Sequence, residues 1–140
     1  MGIKEASGNV AQCMQIINGD KPEHFSVLSG DDNLSLPLMA CGMDGLISVV
    51  ANAYPAEYSK MISLARSDRF DAARKIHYSL MDLVDLLFVE GNPAGIKTVL
   101  CQMGICGDEL RLPLVQVSEK TKLSLIAAMQ KHAKTEMINS

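Results

Sequence analysis

The sequence predicts an α/β fold on a parallel sheet, followed by a helical tail. Three observations carry this reading. Strand-like and helix-like runs alternate as β-α-β-α-β from the first residue, across short turns. The third strand-like run, Gly45-Leu46-Ile47-Ser48-Val49-Val50, is almost wholly apolar, as expected of a parallel strand covered on both faces. From Asp68 onward the pattern is helical. The chain therefore divides into residues 1–67, α/β, and residues 68–140, helical.

The elements follow in order. Met1-Gly2-Ile3-Lys4 reads as a very short strand with no lead-in. Asn9 caps a helix over 10–18, with Val10, Met14, Ile16 and Ile17 as apolar positions. Gly19-Asp20-Lys21-Pro22 breaks it. Phe25-Ser26-Val27-Leu28 is the second strand, and its end, Ser29-Gly30-Asp31-Asp32, turns into a helix over 34–41 closed by Gly42. The third strand spans 45–50. Tyr54-Pro55 opens a helix to residue 67, with proline near its first position. Asp68 caps a long helix over 69–88, whose period carries Phe70, Ala73, Ile76, Leu80, Leu83, Val84 and Leu87. Asn92-Pro93 starts a helix through 103, ended by Gly104. Arg111-Leu112-Pro113-Leu114 is extended, and Ser118 caps a last helix to residue 134.

Composition narrows the function. The 140 residues are 48% hydrophobic and 21% charged with a net charge of −3, which gives no electrostatic reason to expect nucleic acid or an anionic membrane as partner. No run approaches the ~20 apolar residues of a membrane span, and no basic segment followed by an apolar one opens the chain as a secretory signal does. Cys13, Cys41, Cys101 and Cys106 form no CxxC and lie far from His24, His77 and His132. They read as reduced thiols of a cytoplasmic protein, with no metal site. The length also excludes a complete (β/α)₈ barrel, which takes about 250 residues and at least about 200.

In parallel α/β folds, chemistry sits at the carboxyl ends of the strands. Lys4 draws attention first. It ends an apolar strand and precedes a small-residue loop, whereas the other lysines fall on helix surfaces or polar turns. A free lysine is the neutral amine in only about 1 molecule in 2,500 at pH 7, so a carbonyl-attacking lysine needs burial to favour that form. The bland alternative is a lysine that pairs with a carboxylate or snorkels to solvent. Gly30 suits either backbone approach to a ligand carboxylate or an ordinary tight turn. Asp31-Asp32 reads more readily as a helix cap than as a metal site. Asn92-Pro93, taken alone, is punctuation.

Together these segments resemble the dihydrodipicolinate synthase family, within the pyruvate-dependent class I aldolases. Gly2-Ile3-Lys4-Glu5-Ala6-Ser7-Gly8-Asn9 is similar to the family's Schiff-base lysine segment. Its continuation favours the synthase over the N-acetylneuraminate lyase branch. Leu28-Ser29-Gly30-Asp31-Asp32 resembles the next strand end, and Gly45-Leu46-Ile47-Ser48-Val49 with Ala51-Asn52 the last strand. Phe88-Val89-Glu90-Gly91-Asn92-Pro93 and Leu110-Arg111-Leu112-Pro113-Leu114 resemble segments of the helical tail. Met43 departs from the usual Gly-Gly there, which shifts a loop and not the chemistry.

The resemblance implies a fold and a reaction. Residues 1–67 are the last three βα units, strands six to eight, of a (β/α)₈ barrel, and residues 68–140 are its C-terminal helical domain. Lys4 forms an imine with pyruvate, whose enamine attacks aspartate 4-semialdehyde on the way to lysine and diaminopimelate. Ile47 contributes a backbone contact to pyruvate, Gly30 lies at the pocket floor and Asn92 borders the site. The imine is the electron sink, so neither a metal nor an organic cofactor is needed. The family's earlier half carries the threonine pair, the acid/base tyrosine, the mouth arginine and the lysine feedback site. None has a counterpart here. Tyr54, Tyr58 and Tyr78 follow the last strand and cannot replace that tyrosine. The expectation is therefore a fragment, inactive alone, that needs an N-terminal half-barrel; the family is commonly a homotetramer. Met1 inside the strand fits a start placed within a longer gene. The alternatives are a non-catalytic half-barrel interaction module, a split-enzyme subunit, or another Schiff-base aldolase resembling N-acetylneuraminate lyase.

Overall fold

Three short strands run parallel in the order β1-β2-β3: β1 is Gly2–Glu5, β2 is Ser26–Ser29 and β3 is Gly45–Leu46. They belong to a computed structural model that describes the backbone of residues 1–139 and the side chains of residues 1–134. The register sets Lys4 beside Leu28 and Leu28 beside Gly45, with Glu5, Ser29 and Leu46 one step further on. Alternation along a strand then sorts the side chains. Val27, Ser29 and Glu5 are buried, whereas Lys4 on the opposite face is exposed. The parallel α/β prediction is met.

Helix α1, Val10–Asn18, begins where expected, and the Asn9 side chain accepts the Gln12 amide at 3.1 Å. Helix α2 is Ser35–Ala40, and α3, Pro55–Arg66, carries Pro55 at its start. Two expectations need correction. The third strand stops after Leu46 instead of running to residue 50, and a 3₁₀ turn at Val50–Asn52 follows. The cause is polar: the Asp32 carboxylate takes the Ser48 hydroxyl and the Val49 amide, and the Ser48 oxygen takes the Ala51 amide at 2.8 Å. Those bonds pull the apolar run out of the ladder. Asp68, in turn, is no N-cap. It sits at φ 58° and closes α3, its amide bonded to Ala65 O at 3.1 Å and that of Arg69 to Leu64 O at 2.9 Å. Helix α4 starts at Phe70 and runs to Phe88.

The chain falls into two compact units, Met1–His77 and Tyr78–Ser140, divided within α4. In the first, Val27, Leu38, Met43, Val50, Tyr58 and Met61 are buried, and α2 packs on α3. In the second, Leu83, Leu87, Val99 and Leu125 are buried, and α5, Ala94–Gln102, packs on α6, Glu119–Asn139. Gly95 meets α4 so closely that a Cβ there would lie 2.4 Å from Leu87 O, which leaves glycine as the only fit. The 111–114 segment, expected to be extended, contains a turn closed by Leu114 N to Arg111 O at 3.0 Å. Ser118 caps α6 as expected, through its oxygen to the Thr121 amide at 3.3 Å. No described helix is long and apolar enough to cross a membrane.

Candidate active site

Lys4 stands near the carboxyl end of β1, on the exposed face of the sheet. The burial expected around it is not supplied by these residues. What the first unit supplies is direction. Gly30 lies directly beneath the lysine: a Cβ at Gly30 would stand 3.1 Å from both Cγ and Cε of Lys4 and 2.7 Å from the Ala6 Cβ. Any side chain at position 30 would displace the lysine stem. The Gly30 amide also donates to Glu5 O at 2.6 Å, which locks the second strand end against the first. Glycine is required here for close approach, and the approaching group is the lysine itself.

Ile47 follows β3. Its amide donates to Ser29 O at 2.9 Å, so the pairing continues one residue beyond the strand. By alternation from Gly45 it shares the face of Lys4 and Leu28, and the residue is about half exposed, at 49%. The first unit therefore brings Lys4, Gly30 and Ile47 to one end and one face of the sheet. Asn92 belongs to the second unit, exposed in the turn between α4 and α5.

Two carboxylates hold these strand ends from below. Glu5 is buried and accepts the Ser7 amide at 3.0 Å, the Gln12 side-chain amide at 3.4 Å and the Cys13 thiol at 2.9 Å. The hydrogen bond from Cys13 is the main reason that its pKa lies below the ordinary value. Cys13 is pushed up to about 11, chiefly by burial and then by the facing carboxylate. Asp32 is only 1% exposed. Burial raises its pKa, against the opposing pull of Ser48, Val49 and Val50. Its neighbour Asp31 does what the pair was expected to do, accepting the Asn33 and Leu34 amides at 3.0 and 3.2 Å at the start of α2. Tyr58 from α3 is buried close by, and its phenol pKa is raised by burial and by both aspartates. His77 is buried too, its pKa lowered chiefly by desolvation.

The anchoring roles of Glu5 and Asp32 were not foreseen from the sequence. Glu5 had a local signal, since an acid followed by Ser7 and, on the next helix, Cys13 can fold back on itself. Asp32 had none, because its partners lie 16 and 17 residues away. Among the described residues no group of three or more His, Cys, Asp or Glu gathers as a metal site would require.

The chain matches known proteins along most of its length. The family model described as the dihydrodipicolinate synthetase family matches residues 1–132. The chain is 51% identical over 115 residues to a 4-hydroxy-tetrahydrodipicolinate synthase of Parabacteroides distasonis, covering 82% of this chain and 38% of that protein. It is 53% identical over 121 residues to one of Azobacteroides pseudotrichonymphae, covering 86% and 40%. Among solved structures, the dihydrodipicolinate synthase of Aquifex aeolicus superposes with a TM-score of 0.90 at 41% identity, over 94% of this chain and 45% of that one. That of Thermotoga maritima gives 0.91 at 36% identity, over 94% and 45%. The chain thus spans less than half the length of these relatives.

Proposed function

This chain belongs to the dihydrodipicolinate synthetase family, and on that premise we propose that it supplies the imine-forming lysine of a 4-hydroxy-tetrahydrodipicolinate synthase. Residues 1–67 are the last three βα units of the (β/α)₈ barrel, and residues 68–140 are its C-terminal helical domain. The observation that carries the reading is the seat of Lys4: an exposed amine at a strand end, its stem laid over Gly30, on the same face as Ile47.

The neutral Lys4 amine adds to the keto carbon of pyruvate and water leaves, which forms the imine. The protonated imine draws electrons from the adjacent methyl group, a proton departs and an enamine results. That enamine attacks the aldehyde carbon of aspartate 4-semialdehyde, whose oxygen takes up a proton to become a hydroxyl, and the substrate's amino group then attacks the imine carbon, which closes the ring and expels the Lys4 amine. The protonated imine serves as the electron sink when the methyl proton departs, with no role for a metal or an organic cofactor. Ile47 offers backbone contact to the bound pyruvate and Gly30 forms the floor. The pyruvate carboxylate anchor and the proton relay belong to the rest of the barrel. Pyruvate positioning and proton transfer each supply orders of magnitude in rate, so these 140 residues alone have negligible synthase activity. The assembled enzyme is cytoplasmic and homo-oligomeric.

The test is substitution in the full barrel. Lys4→Ala brings condensation of pyruvate with aspartate 4-semialdehyde to background, whereas Lys60→Ala, on the exposed side of α3, leaves it unchanged. Retained condensation in the Lys4 variant would remove the assignment.

A further inference from the structure

The strand-end loops that surround Lys4 do not hold themselves together. The loop after β3 bends away from the sheet at Ser48, and its shape depends on a residue from another loop. Asp32, one of the least exposed carboxylates described, binds the Ser48 hydroxyl through Oδ1 and the Val49 amide through Oδ2, the latter at 2.9 Å. Its own backbone is fixed in turn. Asp32 O accepts the Ser35 hydroxyl at 2.8 Å, and the preceding Asp31 amide donates to the buried Ser29 hydroxyl at 3.1 Å. Gly30 lies two residues before Asp32 and supports the Lys4 stem. Ile47 lies one residue before Ser48.

We propose that Asp32 is a positioning residue for the imine site, a clamp that fixes the Ile47 loop to the Gly30 turn and so sets pyruvate against Lys4. This rests on the reading of Lys4 given above. Asp32 touches none of the reacting atoms; it acts through the backbone on either side of it. A carboxylate suits the task because its two oxygens can serve two donors at once. A carboxamide can also meet both, with its oxygen toward the Val49 amide and its nitrogen toward the Ser48 oxygen. Alanine can meet neither.

The experiment measures, in the full barrel, the pyruvate concentration that half-saturates borohydride-trapped adduct on Lys4, beside the thermal midpoint of each variant. Asp32→Ala raises the half-saturating pyruvate about tenfold or more, in line with the cost of misplacing a substrate contact by a fraction of an ångström. Asp32→Asn stays close to the unsubstituted protein. Ser48→Ala, which keeps the Val49 bond, gives a smaller rise of a few-fold and serves if Asp32→Ala does not fold. Hydrogen exchange at the amides of 47–51 quickens in Asp32→Ala while that of β1 and β2 does not. A lowered thermal midpoint with unchanged pyruvate dependence in Asp32→Ala and Ser48→Ala would overturn the clamp and leave Asp32 merely structural. Failure of the unsubstituted enzyme to form any adduct on Lys4 would instead overturn the reading of Lys4, and the clamp with it.

Discussion

The end of β1 and the turn after β2 each bury a carboxylate, and the two carboxylates differ in reach and in electrostatic state. Glu5 binds Ser7, Gln12 and Cys13, all within eight residues, and so stitches one strand to its own helix. Asp32 binds Ser48 and Val49 and so joins two successive βα units. Hydrogen bonding dominates at Glu5 and lowers its pKa; desolvation dominates at Asp32 and raises it. A carboxylate that serves a local turn can be stabilised in its charged form. One that bridges two units sits deeper, where desolvation disfavours its charged form. Both leave Lys4 itself exposed, so the unit shapes the lysine's direction and not its burial.

Short of removing the lysine itself, the largest expected effect comes from the place where the two strand ends meet, beneath it. Gly30→Ala puts a methyl 3.1 Å from the Lys4 stem and 2.7 Å from Ala6. It should lower the rate of pyruvate adduct formation by about 10²-fold, the penalty typical of a misplaced reacting group. Overpacking should lower stability by about 1–3 kcal/mol. Denaturant titration and trapping kinetics on one preparation measure both, and an unaffected adduct rate would show that Gly30 is an ordinary turn.

Loss of the Glu5 anchor comes next. Glu5→Ala leaves the Ser7 amide and the Cys13 thiol without their acceptor, a loss of about 1–3 kcal/mol. Acid sharpens the contrast between the two carboxylates. Glu5 has a lowered folded pKa, so its contribution is present above the ordinary glutamate range and is lost as pH falls through the folded value. Asp32 has a raised folded pKa, so its ionisation weakens the fold as pH rises through that value. Stability measured against pH should therefore lose its Glu5-dependent acid limb in Glu5→Ala. An identical acid limb in the variant and the unsubstituted protein would refute the anchor.

How much of this was legible in the sequence follows the same division. Lys4 could be read because its surroundings are contiguous: an apolar strand before it, a small-residue loop after it. The Asn9 and Ser118 caps and the α1 and α4 periods are likewise local. The early end of β3 was not legible, because Gly45-Leu46-Ile47-Ser48-Val49-Val50 reads as one apolar run and the carboxylate that interrupts it lies 16 residues back. Asp68 resembles a cap in sequence but serves the preceding helix, a choice made by backbone closure to Ala65 and Leu64. In sequence, Gly30 reads as a turn or a ligand floor. The structure supplies a third reason, room for the lysine stem, which depends on the β1–β2 register and so on no local pattern.

The smallest effect is at Cys13. With its pKa pushed up to about 11 and its thiol given to Glu5, it should resist alkylation at pH 8 while the exposed Cys106 reacts. Its protonated form favours the fold, so that contribution persists below the ordinary thiol pKa and fades as pH rises through about 11. Peptide mapping after brief iodoacetamide treatment reads this directly, and equal labelling of the two thiols would break the Glu5–Cys13 pairing.

The central claim is that Lys4, seated on Gly30, is the amine that captures pyruvate. Borohydride reduction of the full barrel with pyruvate, followed by protease digestion and mass spectrometry, tests it most directly. One reduced adduct is expected, on the peptide that contains Lys4, and it should disappear in Lys4→Ala. An adduct on another lysine, or none at all under turnover conditions, would contradict it.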